Sequence, residues 1–451
     1  MELTRRRPET RVVIVDIGVG IDARVCPARK TGKCAHCQPC AILHGWSGAG
    51  AFSDGKLSLS PDVGGRLLEY MSRERAQKLI DYVDSRYLEC GADSVVYGRE
   101  DKEVERIAYE AARYDIQLVR CPVRHLGTEY AFEVLREMYL RLAAQPGFTY
   151  MDRTTALKVL TEGGRVTGLL VRLADGREEV LSAPAVVAAP GRAGAQWLTE
   201  EAHKIGVETI NNEVDIGVRV EVSNAVMDTL TKHLYEAKLV YYSDTYESKV
   251  RTFCMNPGGE VSGEFYEGGI AVVNGHSYGD PARRTENTNF ALLVSSRFTE
   301  PFNDPIAYGQ SIARLGNMLT GGGVMVQRLG DLQLGRRTTW SRLAKSTVRP
   351  TLPTAVPGDL SFVLPSRHLT SILEALKAFD NLTPGLYSRN TLLYGVEVKF
   401  YSSKLKVDNR FMTPVEGFYA IGDGAGITRG LMQASVTGVV VARDLLGMGD
   451  E

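Results

Sequence analysis

Apolar residues follow helical and strand-like patterns in turn along this chain. Spacings of three and four residues predict helices over Arg66–Cys90, Lys102–Tyr114, Glu129–Ala144, Ala193–Ile205, Pro305–Leu319, Arg367–Ala378 and Leu431–Leu446. Short β-branched or apolar runs predict strands over Arg11–Asp16, Thr155–Leu160, Val166–Leu173, Glu179–Leu181 and Ala185–Ala189. From Glu213 the chain becomes β-rich, with strands predicted over Ile216–Val222, Lys238–Ser243, Val250–Met255, Gly259–Phe265, Ile270–Asn274, Phe290–Ser296, Thr391–Tyr401, Leu405–Val407 and Gly417–Ile421.

This order of elements predicts an α/β protein with two domains. Residues 1–212 and 381–451 are expected to form a discontinuous first domain, a parallel sheet with helices and a β-meander. The dipeptide Asp175-Gly176 is a turn signal between two strands of that meander. Residues 213–380 are expected to form an α+β domain with a largely antiparallel sheet.

Composition and charge narrow the classes of function. The 451 residues include 53 basic and 54 acidic side chains, which excludes a strongly basic protein that attracts nucleic acid over its whole surface. No apolar run approaches the roughly 20 residues that span a bilayer, and no signal-peptide core follows the polar start. We therefore expect a cytoplasmic protein with a small-molecule substrate, no membrane partner and no nucleic-acid partner.

Three glycine-containing segments are candidates for ligand binding. Phe418–Gly426 is an apolar strand that ends in Gly-Asp-Gly, where Asp423 can accept hydrogen bonds from sugar hydroxyls or can simply cap the following turn. Pro190-Gly191 follows the strand Ala185–Ala189 and is either a site of close ligand approach or an ordinary turn. Gly48–Lys56 is glycine-rich and polar, and a solvated surface loop is the alternative there.

Taken together, these segments resemble an uncharacterised family of FAD-dependent dehydrogenases from bacteria and archaea, within the glutathione-reductase-like FAD superfamily. The resemblance covers nearly the whole chain and rests on Asp16, Arg24-Val25-Cys26-Pro27, Cys34-x2-Cys37-x2-Cys40, Gly48–Lys56, Val273–Ser277, Asn287–Leu292, Glu300–Phe302, Ser346–Pro350, Gly395–Tyr401 and Gly422–Gly424. It implies a Rossmann-like FAD-binding domain and an oxidoreductase that passes electrons through FAD. NAD(P)H is the electron donor that it suggests.

The resemblance also assigns cofactor-binding residues. It implies that Asp16 binds the adenosine ribose, that Asp423 holds the ribityl chain, and that the last helix points its N-terminus at the flavin or the pyrophosphate. The full set of implied cofactor-binding residues is Asp16, Gly48, Gly50, Ser53, Asp54, Gly55, Lys56, Pro190, Gly191, Gly422, Asp423, Gly424, Gly426, Met432 and Gln433. Lys56 and His276 are the candidate catalytic residues.

One part of the family pattern is not found at the start of this chain. Such folds begin with a strand, a G-x-G-x-x-G loop and a helix. Gly18–Ala23 matches that loop formally, but the following residues lack helical periodicity and include Pro27. We therefore expect that the first strand, glycine loop and most of the first helix precede Met1, and that an upstream-extended chain binds FAD better.

Four clustered cysteines, Cys26, Cys34, Cys37 and Cys40, have the spacing C-x7-C-x2-C-x2-C. This spacing suits zinc or an iron–sulfur cluster. A redox-active pair and a loop of reduced thiols are the alternatives that remain open. The cluster also defines a competing class, a metal-thiolate redox or sensor protein with a vestigial flavin site.

The segment Gln327–Pro357 is basic. It contains Arg328, Arg336, Arg337, Arg342, Lys345 and Arg349 and a single acid, Asp331. An anionic substrate or the phosphate of NADPH would suit it, and a solvated basic face is the alternative. It also supports a third class of function, a flavin-dependent RNA-modifying protein.

Overall fold

The computed structural model of the chain describes residues 1–27, 35, 37–99, 102–210, 212–266, 269–278, 280–298, 302, 304–399 and 403–448. These residues divide into two compact units. Unit 1 comprises residues 1–95, 124–212 and 402–451, and unit 2 comprises residues 96–123 and 213–401.

The helices and strands are numbered in chain order. The α-helices are α1 Glu2–Arg6, α2 Arg73–Glu89, α3 Lys102–Ala112, α4 Gly127–Ala143, α5 Ala195–Lys204, α6 Asn224–Leu234, α7 Pro305–Thr320, α8 Leu329–Gln333, α9 Trp340–Leu343, α10 Ser366–Phe379 and α11 Leu431–Leu445. The strands are β1 Val12–Val15, β2 Lys56–Ser58, β3 Gln117–Leu118, β4 Val123–His125, β5 Phe148–Met151, β6 Thr155–Glu162, β7 Arg165–Arg172, β8 Glu178–Ser182, β9 Val186–Ala188, β10 Thr209–Ile210, β11 Val214–Ser223, β12 Leu239–Tyr242, β13 Lys249–Asn256, β14 Glu260–Tyr266, β15 Ile270–His276, β16 Asn287–Ser296, β17 Met325–Arg328, β18 Val356–Pro357, β19 Leu392–Lys399, β20 Lys404–Leu405 and β21 Phe418–Ala420.

Unit 1 contains parallel pairs and a meander. β1 pairs with β5 in parallel, and β9 pairs in parallel with β21, which arrives from the end of the chain. β6, β7 and β8 form the antiparallel meander, and the predicted turn at Asp175-Gly176 connects β7 to β8. The sequence predicted one parallel sheet, whereas no described strand joins the two parallel pairs.

Unit 2 is built on an eight-stranded sheet. The strand order is β18-β17-β19-β11-β16-β13-β12-β3, and every neighbouring pair is antiparallel except β17–β18. The largely antiparallel second domain that the sequence predicted is therefore present. β14 and β15 form a separate hairpin that packs its Val261 and Val273 with Tyr394 of β19.

The central strand β11 has two buried faces of opposite character. Its alternate residues Val214, Ile216, Val218, Val220 and Val222 belong to the main apolar core, together with side chains of α3, α6, α7 and α10. The intervening residues Asp215, Arg219 and Glu221 are almost fully buried on the other face. Alternation of apolar and polar residues is typical of a strand with one solvated face, but here the polar face is covered too.

The polar face of β11 is stabilised by a buried ion pair. The Arg219 guanidinium donates to both oxygens of Glu397, at 2.8 and 3.0 Å, and to Oδ1 of Asn289 at 2.7 Å. Lys399 lies 3.0 Å from the same carboxylate. Burial raises the pKa of Glu397, but the charges and hydrogen bonds of Arg219 and Lys399 outweigh it, so the pKa is below its ordinary value.

The boundaries of the two units differ in part from the predicted domains. The boundary between unit 1 and unit 2 at Asn212–Glu213 coincides with the predicted domain boundary. The chain returns to unit 1 at Ser402 rather than at residue 381, because β19 pairs with β11 and β17 inside the large sheet. Residues 96–123 join unit 2, because β3 pairs with β12.

A buried histidine makes the stability of unit 2 dependent on pH. His368 of α10 is 3.0 Å from the Ser296 hydroxyl through Nε2. Burial, with a smaller contribution from the charge of Arg367, lowers the pKa of His368 to about 4. In the unfolded chain His368 is protonated below about pH 6.5, whereas in the folded chain it stays neutral down to about pH 4. Stability is therefore lost as the pH falls from about 6.5 towards 4, by up to about 1.4 kcal/mol per pH unit.

We expect His368→Gln to remove this part of the pH dependence. Urea unfolding of the parent and the variant at several pH values between 7 and about 4 measures it. The parent should lose unfolding free energy faster than the variant as the pH falls, so the difference in unfolding free energy between them should shrink. Carboxylates are the same in both proteins and cancel in this difference. Parallel pH profiles for the two proteins would contradict the assignment.

Candidate functional site

The loops that follow β9 and β21 lie side by side because these strands are parallel neighbours. Phe418 pairs with Val186, and Ala420 with Ala188, so both chains leave the sheet at the same end. A Cβ on Gly424 would stand 2.5 Å from the carbonyl oxygen of Gly191, which shows how closely the two loops pack. The structure thus brings together two of the three segments that the sequence singled out.

Two glycines form an open backbone surface at this end of the sheet. Gly191 and Gly422 have φ angles of 64° and 74°, the left-handed region that favours glycine. Within the described part of the chain, a Cβ at either position would meet no other atom within 4 Å. Backbone of this kind can approach a ligand closely.

Asp423 stands at the centre of these loops. Its Oδ1 accepts a hydrogen bond from the Thr428 hydroxyl at 2.6 Å, and its Oδ2 lies 3.5 Å from the Arg192 guanidinium. Its side chain is 20% exposed, so it remains accessible to a ligand. Asp423 is the first residue of the short 3-10 helix Asp423–Ala425, and Gly422 precedes it as the N-cap. The alternative in which Asp423 is a plain N-cap therefore does not describe its position.

The start of helix α11 lies next to the segment Gly48–Phe52, which forms a 3-10 helix. A Cβ on Gly50 would be 2.6 Å from Cδ2 of Leu431, the first residue of α11. Gly430 is the N-cap of α11, and no described side chain caps the helix. Its first N–H groups are therefore not occupied by a capping side chain, which suits an anionic or electron-rich ligand atom.

Met432 and Gln433 are buried at the start of α11. The Gln433 amide donates to the carbonyl oxygens of Pro61 and Val63, at 3.0 and 2.9 Å, and accepts from the Leu67 N–H at 3.4 Å. Gln433 thus binds the backbone of residues 61–67 to the helix. Its assignment to the cofactor stays a prediction, and the structure gives it a positioning role.

The segment Gly48–Lys56 is more ordered than a solvated loop. The Ser53 hydroxyl donates to the Gly50 carbonyl at 2.9 Å and accepts from the Gly55 N–H at 3.2 Å. Lys56 is 3.1 Å from Asp54, and its side chain is only 9% exposed. Both charged groups are therefore largely buried within unit 1. The alternative of a solvated Lys56 does not agree with this burial.

Asp16 directly follows β1 and stabilises the local backbone. Its Oδ1 accepts from the N–H groups of Gly18 and Gly45, at 2.7 and 2.9 Å. β1 and β21 belong to different two-stranded sheets, so the structure does not place Asp16 beside Asp423 in one sheet. The role of Asp16 as a ribose ligand stays a prediction.

Arg24 is a residue whose role the sequence analysis did not identify. It is almost fully buried, and its guanidinium donates to the carbonyl oxygens of Ala41, Ile42 and Trp46. Arg24 therefore fixes the loop that leads into Gly48–Lys56. No signal in the sequence marked this role, because an arginine in a polar loop is ordinarily solvated and its burial follows from the fold.

The cysteine cluster is only partly described. Cys34 and His36 lie outside the described residues. Cys26 and Cys40 are half-buried, and Cys37 is exposed. No three His, Cys, Asp or Glu side chains within the described residues are grouped to hold a metal ion. The metal site formed by Cys26, Cys34, Cys37 and Cys40 stays a prediction.

The candidates of the second domain lie on the β14–β15 hairpin and in the basic segment, which contact each other through Val261 and Thr351. His276 ends β15 and pairs with Glu260 of β14. In the basic segment, Asp331 is fully buried and accepts from Arg336 at 2.9 Å, from Arg328 at 3.1 Å and from the Thr338 hydroxyl at 2.8 Å. Burial raises the pKa of Asp331, but these hydrogen bonds outweigh it and the pKa is lowered. The segment is thus folded around one carboxylate rather than being a uniformly solvated basic face.

Comparison with known proteins adds a cofactor class. Residues 213–400 match the family described as "FAD-dependent protein, C-terminal domain-like". An uncharacterised protein of Clostridium beijerinckii is 24% identical over 469 residues, which cover 98% of this chain and 78% of that protein. The family match supports FAD as the cofactor.

Several solved structures are also similar over most of the chain. The E. coli quinol fumarate reductase is 12% identical, with a TM-score of 0.39, and the match covers 99% of this chain and 67% of that one. Pyridoxine 4-oxidase from Mesorbium loti is 10% identical, with a TM-score of 0.40, and the match covers 99% of this chain and 95% of that one.

Proposed function

We propose that this protein is an FAD-dependent oxidoreductase that transfers electrons between a nicotinamide nucleotide and a small-molecule substrate. The observation that carries the proposal is the match of residues 213–400 to an FAD-dependent family. The open glycine backbone and the accessible Asp423 carboxylate in unit 1 support it, since both fit a ligand that carries hydroxyls and phosphates.

Each residue of the β9–β21 loops would have a separate task. Asp423 would accept hydrogen bonds from the ribityl hydroxyls, while Thr428 fixes its orientation. Gly191 and Gly422 would let the backbone approach the cofactor, and the uncapped start of α11 would stabilise negative charge. Bound FAD supplies two-electron chemistry, so the chain itself has to bind, orient and shield the reacting groups.

The test begins with the purified protein and its absorbance spectrum. We expect a flavin spectrum, either as purified or after reconstitution with FAD, and release of FAD on denaturation. Anaerobic addition of NADH or NADPH should bleach the flavin absorbance. Metal analysis of the same sample tests the alternative of a metal-thiolate centre at Cys26–Cys40.

Two outcomes would overturn the proposal. If the folded protein binds no flavin after incubation with excess FAD, the proposal that FAD is its cofactor is wrong. If the protein binds FAD but neither NADH nor NADPH reduces it, the proposal that a nicotinamide nucleotide is the electron donor is wrong. Metal without flavin would support the thiolate alternative instead.

A further inference from the structure

Two neighbouring segments of unit 2 expose large apolar side chains, and one of these segments is rich in arginine. Leu334, at the end of α8, is 66% exposed, and Trp340, the first residue of α9, is 62% exposed. Phe362, in the 3-10 helix Leu360–Phe362, is 73% exposed. Single exposed apolar side chains are common, but several of them in neighbouring segments are typical of an interaction surface.

Buried hydrogen bonds join the two segments that carry these side chains. Gln327 is fully buried, donates to the Arg336 carbonyl at 2.9 Å and accepts from the Leu360 N–H at 2.8 Å. The Thr338 N–H donates to the Gly358 carbonyl at 2.9 Å. The loop that contains Leu334 and Trp340 is therefore fixed against the turn that contains Phe362. We call Leu334, Arg336, Arg337, Trp340, Arg342, Lys345 and Phe362 the basic–aromatic surface.

The charge of this surface is predominantly positive. Between Leu329 and Phe362 the acidic residues are Asp331, which is buried beneath the arginines, and Asp359, which caps the 3-10 helix that carries Phe362. Arg336, Arg337 and Lys345 are exposed. The chain as a whole has a net charge of -1, so the positive charge is local.

The geometry points to a docking site for an anionic lipid bilayer. Exposed Trp, Phe and Leu side chains can enter the region between headgroups and acyl chains, while neighbouring Arg and Lys side chains bind lipid phosphates. No described helix is long and apolar enough to cross a membrane, and docking of this kind requires none. The lack of a spanning apolar run, from which no membrane partner was expected, does not bear on docking at the membrane surface.

Two other occupants fit the surface less well. A second copy of the chain in a two-fold dimer would place this surface against itself, and its like charges would repel. Single-stranded RNA would pair with the cations and stack on Trp340 and Phe362, but the aliphatic Leu334 offers no stacking. The combination of aliphatic, aromatic and cationic side chains therefore favours lipid.

Co-sedimentation with vesicles tests the proposal on the full chain. We expect binding to vesicles of phosphatidylcholine and phosphatidylglycerol in equal parts, little binding to phosphatidylcholine alone, and weaker binding at high salt. The variant Trp340→Ser/Phe362→Ser should reduce vesicle affinity about tenfold or more. Arg337→Glu/Lys345→Glu should reduce it by at least a similar factor, since each cation near a bilayer contributes about 1 kcal/mol.

Matched variants control for exposure and for charge. Tyr109→Ser removes an aromatic side chain of similar exposure from α3, where Glu105 and Glu110 are nearby in sequence. Arg165→Glu/Arg177→Glu reverses two exposed cations in unit 1. Both variants should bind vesicles as the parent does. All variants leave Asp331 and its arginine partners unchanged, so their fold should be retained.

Three results would overturn the proposal. The first is the absence of vesicle binding at low salt. The second is loss of affinity in the control variants as large as in the surface variants. The third is binding of a fluorescent single-stranded RNA, or dimerisation in ultracentrifugation, that Trp340→Ser/Phe362→Ser abolishes while vesicles are not bound.

Discussion

Replacing Glu397 by Gln is expected to destabilise unit 2 by about 3–5 kcal/mol, the usual cost of removing one partner from a buried ion pair. Both Glu397 and Arg219 are fully buried, and Lys399 depends on the same carboxylate. The variant keeps the shape of the side chain but leaves two buried cations with too little negative charge. Urea unfolding followed by circular dichroism measures the change.

An exposed ion pair in the same unit provides the control. Asp228 and Lys232 are 2.9 Å apart on the surface of α6. Asp228→Asn should change stability by less than about 1 kcal/mol. The double variant Arg219→Met/Glu397→Met should be more stable than Glu397→Gln, because it removes the unpaired arginine charge. If Glu397→Gln is no more costly than Asp228→Asn, the buried pair is not what stabilises the sheet.

Replacing Asp423 by Ala is expected to weaken FAD binding by about 1–3 kcal/mol, which is a rise in Kd of roughly fivefold to 150-fold. The carboxylate is accessible between the Gly191 and Gly422 loops, and a ribityl hydroxyl would lose its acceptor. Titration of the apoprotein with FAD, followed by flavin fluorescence, gives the two dissociation constants.

Asp444 is a closely matched control for Asp423. Its side chain is also 20% exposed, it accepts from the Tyr419 hydroxyl at 2.6 Å, and it lies 3.4 Å from Arg410. Asp444→Ala thus removes the same kind of contacts away from the candidate site and should leave the FAD affinity unchanged. Equal losses of affinity in the two variants would mean that Asp423 acts through the stability of unit 1 alone.

The sequence predicted long elements well where one periodicity dominates. The helix predicted over Arg66–Cys90 is present as α2, which begins at Arg73 because Ser72 is its N-cap and accepts from the Arg75 N–H. The helix α6 was missed, although Met227, Leu230, Thr231 and Leu234 are buried with helical spacing. Its single apolar stripe is short, and the segments before and after it have strand-like patterns, so the helical spacing was not recognised.

The buried polar face of β11 could not be read from the sequence. The segment Val214–Ser223 alternates as a half-exposed strand does, and only tertiary contacts show that Arg219 and Glu221 are covered. The role of Asp331 was hidden for a similar reason. Its arginine partners are close in sequence, but whether the carboxylate lies beneath them depends on the fold. The predicted cofactor residues around Gly191 and Asp423 were brought together because two parallel strands end there.

The parallel pairing of β9 with β21 has a consequence for how the chain folds during synthesis. Ala188 leaves the ribosome more than two hundred residues before its partner Ala420. At ordinary rates of translation the two are separated by roughly 10–50 s. The described strands and helices of unit 2 all end by Lys399, so this unit can complete its sheet while β9 still lacks its neighbour. The order of synthesis thus allows the middle portion of the chain to fold before β9 has its partner strand.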